Sequence, residues 1–180
     1  MKSSFKKVLK EKRGFFTIEY VMSLLIFIIL FSFVYDLTLI VVQRNRATNV
    51  LQSMVRVVQV QSGLEPTVPT YFPTVGNSYL RSETFLNNSK RLLSDLGINP
   101  DSVVVSLSGT SIDGSSLDAE VKADSNLQLK YKTPFTVKLT YRYQFTIWSN
   151  FVPGLNDCEQ TLTSVGYAEY KQNYDEWDGE

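Results

Sequence analysis

The chain has 180 residues, 18 basic and 18 acidic side chains, no histidine and one cysteine, Cys158. Without histidine, His-based triads and Cys–His metal clusters are excluded, and a lone cysteine excludes an intrachain disulfide; Cys158 reads as a buried free thiol, the alternative being a pairing with another chain outside the cytoplasm. This length holds one modest domain plus an anchor. The zero net charge is unevenly divided: residues 1–14 carry six basic side chains against Glu11, a net of five positive charges, and the rest of the chain is correspondingly acidic. No basic stripe with interleaved aromatics occurs beyond this head, so nothing points to nucleic acid as a partner.

From Phe15 to Val42 the chain is apolar, with Glu19 and Asp36 as its charged residues. As a helix this run covers about 40 Å, enough to cross a bilayer. It lacks Gly and Pro, so no kink is expected. The positive-inside rule keeps residues 1–14 in the cytoplasm and sends everything after Val42 across the membrane. The run is too long for a secretory h-region, and Gln43-Arg44-Asn45-Arg46 is not a small-residue cleavage site. A carboxylate one turn inside an apolar layer is costly unless paired, so Glu19 asks for a partner. Asp36, about 25 Å further along, reads as a marker of the outer membrane interface; the alternative is a polar contact between packed subunits.

The join Lys12-Arg13-Gly14-Phe15-Phe16-Thr17-Ile18-Glu19-Tyr20 resembles the class III signal of type IV pilins and pseudopilins. The resemblance implies that a membrane prepilin peptidase cuts after Gly14 and methylates the new amine of Phe15, making Glu19 the fifth residue. The Glu19-Tyr20 pair is similar to that of the Tad (Flp-type) branch, and a sizeable domain after the helix resembles the TadE/TadF minor pilins. Processing would then rest on Gly14 and Phe15, and assembly on Glu19 and Tyr20. The implied partners are the peptidase, other pilin subunits, an inner-membrane assembly platform with its ATPase, and membrane lipid. After cleavage the Phe15 ammonium would supply the charge opposite Glu19, within one chain or between neighbours.

Beyond the membrane, Ala47, Val50, Leu51, Met54, Val55, Val57 and Val58 recur at three- and four-residue spacing, which extends one helix to about Gln61 before Ser62-Gly63 and Pro66 stop it. Leu64 to Tyr79, with Pro66, Pro69, Pro73 and Gly76, reads as a loop. Ser82 is placed to cap a helix over Glu83 to Leu96, with Phe85, Leu86, Leu92, Leu93 and Leu96 inward and Gly97 as its stop. The period then changes to two. Val103–Leu107, Leu117–Ala123 and Leu127–Tyr131 read as strands, with Thr133-Pro134 interrupting the pairing. Phe135 to Trp148 is the strongest strand, with Phe135, Val137, Leu139, Tyr141, Tyr143, Phe145 and Ile147 on one face. Asn150 to Cys158 is a loop and Glu159 to Tyr170 a final strand; the residues after about Gln172 look frayed.

The expected organisation is a cleavable leader (1–14), a long helix (15–62, with 15–42 in the membrane), an extracytoplasmic domain (63–171) and an acidic tail (172–180). The fold class is α+β: a long N-terminal helix packed on a small antiparallel sheet. No repeat, phosphate loop, metal spacing or catalytic pair is visible, so neither cofactor nor enzymatic activity is expected. The function implied is a processed minor pilin or pseudopilin that joins or initiates a filament. The alternatives are an uncleaved, membrane-anchored extracytoplasmic binding module and a major type IV pilin.

Overall fold

The computed structural model of the chain describes residues 12–69, 79–155 and 157–170. The leader before Lys12, residues 70–78 of the Pro-rich loop and the acidic tail lie outside the described residues.

Helix α1 spans Lys12–Gln61, 50 residues without interruption at Asp36 or Arg44. Two hydroxyls in its apolar half bond back to the helix itself, Ser32 to the Ile29 carbonyl at 2.8 Å and Thr38 to the Val34 carbonyl at 2.8 Å. That leaves neither hydroxyl unsatisfied in an apolar medium. The described residues divide into two compact units: 12–41 together with 145–155, and 42–144 together with 157–170.

In the second unit, α1 lies on an antiparallel sheet, which makes the domain α+β. The sheet has the order β3-β2-β5-β6, with β2 at Val104–Thr110, β3 at Ser116–Glu120, β5 at Pro134–Tyr143 and β6 at Cys158–Tyr167. A separate two-stranded pair joins β1, Gly63–Leu64, to β4, Leu127–Gln128. Alternation decides which face is buried: Phe135, Val137, Leu139 and Tyr141 of β5 are all at most 1% exposed. They meet the α1 stripe of Ala47, Leu51, Met54, Val55 and Val58, which is likewise buried. Each of the larger side chains in that stripe stabilises the unit by about 1.5–3 kcal/mol. Gly166 permits the close approach. Opposite Phe135 in register, it leaves space that a Cβ would fill at 2.6 Å from Phe135 Cζ and 2.8 Å from Val55 Cγ1.

Helix α2, Ser82–Ser94, begins one residue earlier than its capping pattern suggested. Ser82 lies within the helix, its hydroxyl donating to the Ser125 carbonyl at 2.6 Å, and Arg81 stands at the N-cap without a side-chain bond. Phe85 and Leu93 are buried, but Leu92, expected inward, is 40% exposed, because it lies at the edge of the face marked by Ser82, Phe85, Ser89 and Leu93. Gly97 ends the turn at φ 79°, while the Ile98 N–H returns to the Leu93 carbonyl at 3.1 Å.

The strand boundaries differ from the sequence pattern in several places. β2 runs on to Thr110, β3 stops at Glu120 and β4 is two residues long. Pro134 opens β5 rather than interrupting it, since an N–H is not needed at the first position of a strand. β5 ends at Tyr143, so Phe145 and Ile147 leave the sheet face to which their alternation assigned them. β6 starts at Cys158 and ends at Tyr167.

Candidate functional site

The first candidate region is the join. Gly14 and Phe15 lie inside α1, which is already helical at Lys12. Glu19 and Tyr20 follow on its surface, both exposed. The helical repeat places Glu19 four residues beyond Phe15, on the same face and one turn away. Among the described residues, the first turn of α1 holds no acidic residue. Cutting after Gly14 would move the helix start to Phe15 and bring Glu19 within reach of its free donors and of the amine, where the helix dipole favours a negative charge.

The second region centres on Asp36. It is 1% exposed, so it does not face solvent directly but is enclosed by its own chain. A segment distant in sequence covers it. The backbone N–H groups of Ile147 and Trp148 both donate to Asp36 Oδ2 at 2.9 Å. These residues open a short 3-10 turn, Trp148–Asn150, so Asp36 satisfies donors that the turn itself leaves free. Phe33, one turn earlier, meets the Trp148 ring edge-on with centroids 5.7 Å apart. The Phe145 N–H donates to the Leu155 carbonyl at 3.0 Å and closes the loop at its base. Asp36 Oδ1 and Trp148 Nε1 are buried without a hydrogen-bond partner among the described residues.

An apolar groove of about 210 Å³ runs beside this clamp, lined by Phe27, Ile28, Phe31, Ser32, Tyr35 and Ile147. The sequence offered one clue to this arrangement. Tyr143 to Leu155 contains no charged residue, whereas 20% of the whole chain is charged. What sequence reasoning missed was that the lone acid of the outer half of the apolar run and this neutral segment answer each other.

In the second unit, Cys158 is a half-buried thiol, outside any disulfide, that interacts with Tyr143. Buried polar groups cluster where the chain leaves α1. The Gln61 side chain donates to the Leu80 carbonyl at 3.2 Å and accepts from the Leu80 N–H at 3.3 Å, and the Glu65 N–H donates to the Tyr79 hydroxyl at 3.0 Å. Burial, followed by the negative charge of Glu65, pushes the Tyr79 hydroxyl well above its ordinary range. These bonds tie Tyr79 and Leu80 to the end of α1 and to Glu65, and suggest no reaction chemistry. No family model, curated protein or solved structure matches the chain.

α1 is long and apolar enough to cross a membrane, and its most apolar window is almost wholly exposed. Monomeric soluble proteins rarely expose so large an apolar surface.

Proposed function

We propose that this protein is a minor pilin or pseudopilin, similar to the TadE/TadF type, cut by a prepilin peptidase between Gly14 and Phe15. Before assembly it spans the inner membrane once, with the leader in the cytoplasm and the sheet domain outside. After processing it enters a Tad or type IV pilus-like filament, or the complex that initiates one, as a structural subunit. Its partners are the peptidase, other pilins and the assembly platform.

The observation that carries this reading is the charge pattern of α1 between Phe16 and Val42. Its two charged residues are Glu19 and Asp36, and Asp36 is enclosed by its own chain. Glu19 is thus the one exposed charge on the apolar half of the helix. It stands one turn after a Gly-Phe join that follows a basic head. An exposed carboxylate at that depth favours a cationic partner, and the Phe15 amine released by cleavage is such a group. Assembly then depends on processing.

The test is incorporation of Glu19→Gln and Glu19→Ala subunits into sheared filament fractions, with membrane levels as the control. The expected result is stable subunits in the membrane and strong depletion from the filament. Incorporation at the unsubstituted level refutes the pairing.

A further inference from the structure

The loop 145–155 combines features that a solvent-facing connection between two strands does not need. It carries no charge and contains Phe145, Ile147, Trp148, Phe151, Val152 and Leu155. Phe151 is 75% exposed and Val152 is also open. Tight turns hold the tip in place, with the Phe151 and Val152 N–H groups donating to the Trp148 carbonyl at 3.0 and 2.9 Å. The exposed apolar side chains are therefore presented on an ordered scaffold.

The attachment point sets the depth of this loop. It is fastened at Phe33 and Asp36, within the same compact unit as the apolar half of α1. Asp36 lies about 30 Å along the helix from Phe16, a distance close to the thickness of the hydrocarbon core. A loop held there meets the boundary between acyl chains and headgroups. Trp and other aromatic residues concentrate at that level, where an apolar ring and a polar edge are both accommodated. The groove between Ile147 and the helix face from Phe27 to Tyr35 opens toward the hydrocarbon side of Asp36, and no charged residue lines it.

We propose that the loop 145–155 is a lipid-docking element: Phe151 and Val152 enter the outer headgroup–acyl boundary, and an acyl chain fills the groove beside Ile147. The occupant is lipid because the groove and the loop tip continue the exposed apolar band of Phe31, Val34, Tyr35 and Leu37 on α1. The loop presents no charge with which to select a polar protein surface. Asp36 acts as the positioning residue, since its carboxylate holds the loop against the helix without touching lipid. The element gives the membrane-held subunit a second contact with the bilayer. This inference rests on the membrane-spanning part of the function proposed above and not on cleavage.

The test uses the full chain in phosphatidylethanolamine–phosphatidylglycerol vesicles. An environment-sensitive fluorophore is attached to Phe151→Cys or, as a mid-span control, to Ile28→Cys, each with Cys158→Ser. The expected result is blue-shifted emission from both labels and quenching by lipid nitroxides, shallow ones acting best on the Phe151 site. Aqueous iodide should have little effect, and dilution with lipid none. Iodide quenching at the Phe151 site, with the Ile28 site still quenched by lipid, overturns the inference while leaving the span intact. A shielded Phe151 site that ignores lipid nitroxides and opens on lipid dilution means that a second copy covers the loop, which also overturns it. Loss of lipid quenching at the Ile28 site removes the span and the inference together. Because the tip label itself alters the loop, Trp177→Phe provides a second probe in which Trp148 is the remaining tryptophan. Its emission should fall strongly with lipids brominated near the headgroup, and an unchanged emission counts against the inference.

Discussion

Replacing Asp36 with Ala removes the acceptor for two backbone donors, the Ile147 and Trp148 N–H groups, each at 2.9 Å. A hydrogen bond to a charged group contributes about 1.5–3 kcal/mol, so losing both destabilises the closed loop by about 3–6 kcal/mol. At about 1.4 kcal/mol per factor of ten, the open population rises by roughly two to four orders of magnitude. Hydrogen exchange of the Ile147 and Trp148 amides, measured with the full chain in nanodiscs, reads this change directly. Their protection should fall by at least about a hundredfold, while amides of β5 and the outer half of α1 keep theirs. Asp36→Asn retains a carbonyl oxygen that can accept the same bonds, so it should lose about tenfold, corresponding to about 1–1.5 kcal/mol. Unchanged protection in Asp36→Ala would refute the clamp. A global loss across β5 would show that Asp36 supports the whole domain rather than the loop.

Other predictions concern the sheet domain. Gly166→Val should destabilise it by about 1–3 kcal/mol, because the new side chain meets the Phe135 ring and Val55 in a packed core; thermal unfolding of the extracted protein checks this. Leu139→Ala, at a fully buried position, should cost about 2–5 kcal/mol in the same assay. The Tyr79 hydroxyl has a folded-state pKa raised above its ordinary value of 10.0, first by burial and then by Glu65. Its stabilisation is therefore present below about pH 10 and is lost as the pH climbs above that value. Tyr79→Phe should flatten the alkaline limb of a stability–pH profile, leaving the part due to Tyr141 and Tyr143, whose pKa values are also raised by burial. Breaking the exposed Arg142–Asp157 ion pair, at 3.2 Å, should change stability by less than about 1 kcal/mol.

The elements read most clearly from sequence are those with a long, uniform period. The stripe from Ala47 to Val58 repeats at helical spacing because one face of α1 packs on the sheet, and the alternation from Phe135 to Tyr141 reports a strand with one buried face. The same alternation continues through Phe145 and Ile147, yet these residues are apolar for another reason: they belong to the loop closed over Asp36. Hydrophobic period alone does not distinguish a strand that continues from a loop whose apolar side chains pack elsewhere. Leu92 and Ser82 show a related limit, since a residue's type suggests a buried or capping role but the path of the neighbouring chain decides it. Long-range partners such as Asp36 with Ile147 and Trp148 leave no trace in local spacing. The residues of the join, by contrast, are legible as a string: basic head, Gly14, Phe15, and then Glu19 one turn later.

The central claim is that this join is processed, and the mass of the mature subunit tests it most directly. The full chain, produced with an active prepilin peptidase and extracted from membranes, should begin at Phe15 and carry a methyl group on its amine. Gly14→Val, blocking cleavage, should leave the leader attached. A chain that still begins at Met1 beside the active peptidase would contradict the account.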